Sequence, residues 1–149
     1  MNEICKDAEE FLSGLVRDLG FDLSVTSEMN EEGCVLNLSG ADAHYALAEN
    51  GELLDAFEVI LFQAFGRELA REHRFIVDAE GFRGTRKAEL HAMARFAAEQ
   101  VRKSGKPFTF GVLNSTERRI IHMTLQLEED LFTESVGDGR DRRLQVRLQ

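Results

Sequence analysis

The chain has little of what membrane insertion, secretion or catalysis requires. No apolar run approaches the ~20 residues of a membrane-spanning helix. Acidic residues (Glu3, Asp7, Glu9, Glu10) stand near the start, where a signal peptide would be basic. A cytoplasmic location without membrane insertion is the expectation. There are two cysteines, Cys5 and Cys34, with no CxxC and no ligand-like spacing, so neither a zinc site nor a disulfide framework is indicated and both read as packing residues. No Pro/Ser-rich linker, low-complexity tract or internal repeat interrupts the sequence. P-loop, GxGxxG, HExxH and nucleophile-elbow motifs are all missing, and the histidines at 44, 73, 91 and 122 lack metal-ligand spacing. The expectation is a protein that is not an enzyme, with no metal, cofactor or small-molecule substrate.

What is present suits a globular fold. The 149 residues are 43% hydrophobic and 30% charged, enough to bury one core or two small ones. A net charge of −9 argues at first against a polyanionic partner. The average hides a division. Residues 1–82 hold 5 Lys/Arg and 18 Asp/Glu, a balance of −13, whereas residues 83–149 hold 13 and 9, a balance of +4. Exposed charges are screened beyond about 8–10 Å at physiological salt, so a local cationic face in the second half can still hold phosphate.

Apolar spacing predicts a first helix over 2–19, with Ala8, Phe11, Leu12, Leu15, Val16 and Leu19 on its stripe and Gly20 at its end. Strands are expected at Phe21–Thr26 and Cys34–Leu38, joined by the polar turn Ser27–Gly33. A short helix around Ala41–Ala48, a break at Asn50-Gly51, a long apolar helix from Glu52 to His73 and a strand Arg74–Asp78 follow. The phenylalanines of the long helix read as core. A helix over Thr85–Ser104 buries Leu90, Ala94, Ala97 and Val101, and Lys87, His91, Arg95 and Arg102 line its adjoining face as a cationic stripe. That stripe is either a solvated face or an accessory phosphate track.

The most telling stretch is Asn114–Leu127. Asn114 is placed as an N-cap with Glu117 three residues on, the pattern of a capping box. Ile120, Ile121, Leu125 and Leu127 cover the expected buried side, and Arg118 and His122 stack one turn apart at its border. A cation beneath an imidazole can hold an anionic group, the guanidinium through its fork and the imidazole against phosphate or a base. Strands follow at Leu131–Val136 and after the Gly137–Asp141 turn, the last one turning Leu144, Val146 and Leu148 inward and Arg143, Gln145 and Arg147 outward.

Arg118-x-x-x-His122, followed by Thr133-Glu134-Ser135-Val136-Gly137 and Arg142-Arg143, and preceded by Asp78–Lys87, resembles the Jag (SpoIIIJ-associated) family of bacterial proteins. The resemblance is strong over about residues 74–149 and traceable from about residue 20. It implies a KH domain followed by an R-three-H domain, the latter named for its Arg-x-x-x-His motif. It assigns Arg118 and His122 to a binding surface that Arg142 and Arg143 extend. Thr133 and Ser135 match small hydroxyl positions that either join the surface or pair within the hairpin. Jag proteins typically carry Gly-Lys-Arg-Gly or a similar GxxG turn in the KH domain, where backbone and cations clamp single-stranded phosphates. The matching positions here are Ala48, Glu49, Asn50 and Gly51, so one glycine remains and a carboxylate replaces a cation; a further family glycine is His44. This KH loop is expected to be degenerate. Arg83 and Arg86, with Asp78 and Glu80, are expected to form a salt-bridged hinge. As a family, Jag proteins are RNA-binding regulators linked to the cell envelope, similar proteins act beside a small single-KH partner, and full-length members usually carry a further N-terminal domain and linker not seen in this sequence.

The reading is an α+β protein: a KH-like domain over 1–82 in the bacterial type II order α-β-β-α-α-β, then an R-three-H domain over 83–149 with helices on a small, mainly antiparallel sheet. The expected function is non-catalytic binding of single-stranded RNA or DNA through Arg118, His122, Arg142, Arg143, Arg95 and His91. The alternative is a protein-interaction or dimerisation module, with a KH-containing protein or a second copy as partner.

Overall fold

The structure is a computed structural model that describes residues 2–149, and it divides into two compact units, Met1–Arg83 and Gly84–Gln149. The first unit runs α1 (Asn2–Asp18), β1 (Ser24–Asn30), β2 (Gly33–Ser39), α2 (Ala43–Phe65) and β3 (Arg74–Ala79). Within α2, residues 48–51 leave helical geometry, so two helices lie between β2 and β3 and the order is α-β-β-α-α-β. The sheet order is β1-β2-β3, with β1 antiparallel and β3 parallel to β2.

In α1, Ala8, Leu12 and Val16 recur every fourth residue and are buried, whereas Phe11 and Leu19 are exposed. Phe11 instead meets Phe65 edge-to-face at 5.6 Å. Gly20 closes the helix in the left-handed region (φ +85°), with Phe21 N–H donating to Val16 O at 2.9 Å and Gly20 N–H to Arg17 O at 3.0 Å, a Schellman pattern. β1 begins and ends later than its expected span, and the turn shrinks to Glu31-Glu32. Residues 27–30 read as turn although they belong to β1, because β1 is an edge strand and its Glu28 and Asn30 lie on a solvated face. Asn30 Oδ1 accepts from Glu32 N–H at 2.8 Å and from Gly33 N–H at 3.2 Å, which closes the hairpin. Gly33 is required, since a Cβ there would lie 2.0 Å from Arg74 O.

Phe62, expected in the core with the other phenylalanines of the long helix, is 66% exposed, and three further expectations fail in this unit. Cys5 and Cys34 are not mere packing residues: they are joined in a disulfide between α1 and β2, with Cα atoms 5.5 Å apart. Their separation of 29 residues carries no motif, because helix-to-strand proximity is a tertiary fact. The hinge expected from Arg83, Arg86, Asp78 and Glu80 is also different. Arg83 pairs with Asp55 (2.7 Å) and Glu58 (2.9 Å) on α2 and donates through Nε to Val77 O at 3.1 Å. Asp78 acts through its carboxylate on the Arg83 backbone N–H (3.0 Å), and Glu80 makes no ion pair among the described residues. The long helix stops at Phe65 rather than at His73, giving way to a 3-10 turn at Gly66–Glu68.

The second unit holds α3 (Phe82–Ser104, whose first two residues belong to the first unit), β4 (Phe108–Thr109), α4 (Ser115–Leu125), β5 (Leu131–Val136) and β6 (Arg143–Leu148). Its sheet order is β4-β6-β5, all antiparallel. Leu90, Ala94, Ala97 and Val101 of α3 and Ile121 and Leu125 of α4 pack with Leu131, Leu144 and Val146 of the sheet in one core. Leu127 falls beyond the end of α4 and is 81% exposed, so it is not part of the buried side.

Candidate nucleic-acid interface

The α4 helix is fixed at its start before anything else about it matters. Asn114 accepts from Glu117 N–H at 2.8 Å, and Glu117 Oε1 accepts from Asn114 N–H at 3.1 Å, the two halves of a capping box. Glu117 is itself buried, and its Oε2 accepts from Arg86 Nε at 2.6 Å. Burial works against the Arg86 charge, but its hydrogen bonds to Glu117 and Glu89 outweigh that and hold its pKa above the ordinary arginine value. One carboxylate thus secures both the first turn of α4 and its seat on α3.

Four residues apart on that helix, Arg118 and His122 are both half-buried. Arg118 Nη1 donates to Leu113 O at 2.6 Å, which uses one of the five guanidinium N–H groups. His122 Nδ1 shares a hydrogen bond with Thr133 Oγ1 on β5, which leaves Nε2 for a ligand. Neither side chain enters an ion pair among the described residues. Two side chains held at one atom by their own fold, with the remaining donors uncommitted, can receive an anionic oxygen without reorganising.

His91 and Arg95 do not join that pair. On a helix that turns about 100° per residue, Thr124 lies on the opposite border of the buried stripe from Arg118 and His122. Thr124 Oγ1 is 3.2 Å from His91 Nδ1 and donates to Ile120 O at 2.8 Å. Arg95 and Thr124 line a groove of about 570 Å³ between α3 and α4, together with Arg102, Lys103, Glu99 and Glu128. Arg102 is not a free member of the cationic stripe. It grips Asp130 through Nε and Nη2, both at 2.7 Å, and reaches Glu128 at 3.1 Å. The hydrogen bond from Arg102 holds the Asp130 carboxyl below its ordinary range. Lys87 is exposed.

Arg142 and Arg143 flank the start of β6, Arg142 exposed and Arg143 half-buried. Arg143 Nη1 donates to Arg140 O at 3.1 Å, which braces the turn. The six expected residues therefore fall into three groups: the α4 pair, the α3–α4 groove and the β5–β6 turn. Ser135 stays half-buried on β5, while the buried Thr133 braces His122. The alternation of β5 gives Thr133 the same face as Leu131, which is the signal for an inward hydroxyl.

In the first unit, Ala48, Glu49 and Asn50 are exposed, and Glu49 (φ 53°), Asn50 (φ 55°) and Gly51 (φ 80°) share left-handed backbone. A Cβ on Gly51 would lie 2.6 Å from the Phe82 ring. His44 stacks on Tyr45 at 4.1 Å just upstream.

Residues 88–148 match the R-three-H domain family. Over 144 residues the chain is 27% identical to the RNA-binding protein KhpB of Clostridium symbiosum, a match covering 95% of this chain and 65% of that protein. It is 28% identical over 143 residues to the RNA-binding protein KhpB of Bacillus subtilis (strain 168), covering 95% and 69%. A third protein of that name, from Lactiplantibacillus plantarum, is 21% identical over 140 residues, 44% of its length. The chain spans about two thirds of the first two relatives and under half of the third. The resemblance read from the Arg118-x-x-x-His122 region thus holds, and it extends over most of the chain.

Proposed function

We propose that this chain binds single-stranded nucleic acid, RNA in the first place, and performs no chemistry on it; the match of residues 88–148 to the R-three-H domain family supports this. The carrying observation is the Arg118/His122 pair, each side chain anchored at one atom and open at the others. RNA is favoured because the relatives that match 95% of the chain are named RNA-binding proteins. Arg142 and Arg143 extend the surface towards the β5–β6 turn, and His91 and Arg95 supply an accessory phosphate track on the other border of α4. Residues 1–82 act as the KH-like domain and 83–149 as the R-three-H domain. The Ala48–Gly51 loop brings Glu49 where a strand would need a cation, so it serves as a turn and not as a phosphate clamp. We place the protein in the cytoplasm; no helix of the described residues is long and apolar enough to cross a membrane.

A protein partner for the first unit is a second reading, favoured by one observation. Ala56, Val59 and Phe62 on α2 are exposed, Phe62 to 66%, on a unit that is otherwise strongly acidic. A KH-containing protein or a second copy of this chain would cover such a face.

The test is fluorescence anisotropy of labelled single-stranded RNA and DNA at low and physiological salt, on wild type and the Arg118→Ala/His122→Ala double variant. Wild type is expected to bind with log affinity falling linearly against log salt, and the folded double variant not to bind. Equal binding by both proteins would remove the pair from the site.

A further inference from the structure

The outer face of the β5–β6 hairpin, apart from Arg143 at its turn end, is organised in a way the α4 site does not use. Leu131 and Thr133 of β5 and Leu144 and Val146 of β6 are buried beneath the helices, so Phe132, Glu134 and Val136, and Arg143, Gln145 and Arg147, share the opposite face. The register sets Phe132 against Arg147, Glu134 against Gln145 and Val136 against Arg143. Each end therefore pairs an apolar side chain with a guanidinium, and the two ends are about 13 Å apart along the strand. At one end the Arg147 guanidinium lies over the Phe132 ring, 4.6 Å from its centroid, while 38% of Phe132 stays exposed. Between the ends, Gln145 Nε2 donates to Thr109 Oγ1 on β4 at 3.2 Å, which orients the amide and leaves its oxygen to accept.

Four of these six side chains are polar, which suits an apolar protein surface poorly. Flat rings, guanidinium planes and an oriented amide instead match unstacked bases with phosphates beside them. The Glu134 carboxylate, 4.0 Å from Arg147 Nε, repels phosphate at the centre and accepts from base N–H groups, so bases and not phosphates face the sheet there. We propose that this face is a second nucleic-acid contact, on which single-strand bases stack against Phe132 and Arg147 while Arg143 holds phosphate at the far end. The inference rests on the binding function proposed for Arg118 and His122 and lengthens its footprint. β5 is an edge strand, and Phe132 is the sequence neighbour of Thr133, which braces His122. A strand held at His122 reaches Phe132 by passing around that open edge.

Oligomers of about 4 and about 16 nucleotides separate the two contacts. Wild type, Phe132→Leu, Phe132→Tyr, Arg147→Gln and Arg118→Ala/His122→Ala are compared by anisotropy after their folding is verified by thermal melting. A strand carrying 2-aminopurine reports stacking through quenching. Phe132→Leu and Arg147→Gln weaken the longer oligomer by about tenfold, leave the shorter one unchanged and lose the quenching, and Phe132→Tyr restores both. A folded Phe132→Leu that binds and quenches the longer oligomer like wild type overturns the platform. If the double variant alone abolishes binding, the α4 site stands and only the platform falls. If wild type binds neither length, both readings fall together.

Discussion

Arg86 Nε and Glu117 Oε2 meet at 2.6 Å across 31 residues of sequence, in a part of the second unit where both side chains are largely buried. The Glu117 carboxylate also completes the α4 cap, so one group joins helix start to helix seat. Removing one member of a buried pair leaves the other charge uncompensated. Glu117→Gln preserves an acceptor for the Asn114 N–H but leaves Arg86 with Glu89, 3.0 Å away on the exposed side, as its one carboxylate, and is expected to lower stability by about 2 kcal/mol. Urea unfolding of wild type and variant measures this directly, and a change under about 0.5 kcal/mol would mean the pair contributes as little as an exposed one.

The Cys5–Cys34 bond closes a loop of 29 residues between the first helix and the second strand. Cross-linking at that separation destabilises the unfolded chain by about 3.6 kcal/mol through lost chain entropy. Reduction, or a Cys5→Ser/Cys34→Ser variant, is expected to lower the melting temperature, with the loss traced by hydrogen exchange to residues of the first unit. Mass spectrometry after alkylation without reductant counts the free thiols.

Glu58 gives the first unit a pH dependence of defined sign. Its pKa is raised chiefly by burial, which outweighs the hydrogen bond from the Val77 N–H and the attraction of Arg83. The folded state therefore keeps this proton longer than the unfolded chain does. The stabilisation so gained is full below the ordinary glutamate pKa of about 4.3 and is lost as pH rises through the folded value. Relative to Glu58→Gln, wild type should lose stability between about pH 4 and about pH 7. Paired urea melts at the two pH values check this, and an advantage of wild type that grows with pH would show that Arg83 dominates.

Thr133 is a positioning residue for His122. Thr133→Val keeps the volume and removes the hydroxyl, so the ring loses the partner of Nδ1. Strand affinity is expected to fall a few fold with the stability of the second unit, which holds Thr133, unchanged, and Thr133→Ser to restore it. Anisotropy beside thermal melts separates this from a loss of folding. A valine variant that binds as wild type would show that packing alone orients the imidazole.

What was legible in the sequence is what repeats or lies close along the chain. The Asn114–Glu117 box, the Arg118–His122 spacing and the break before Glu52 follow from local geometry, and all three stand in the structure. Leu127 was misplaced because periodicity does not say where a helix stops. The pairs Cys5–Cys34, Arg86–Glu117 and Arg102–Asp130 lie 28 to 31 residues apart and belong to no period. Composition showed Arg86 and Arg102 as cations and could not show that each already has its carboxylate. The α4 pair was readable, and the partners that hold it were not.

That last distinction separates two arginines of the α3 face. Arg95 is exposed on the groove with no ion pair among the described residues, whereas Arg102 is held by two bonds to Asp130 and one to Glu128. A cation counts towards phosphate binding only if its charge is free to displace counterions. Arg95→Gln should therefore reduce the slope of log affinity against log salt by about 0.7, and Arg102→Gln should leave it nearly unchanged. Arg102→Gln also frees two carboxylates beside the groove, so affinity at low salt can fall through repulsion while the slope stays the same. Anisotropy titrations at several salt concentrations resolve slope from intercept. Equal slope changes in the two variants would mean that a bound strand pulls Arg102 away from Asp130.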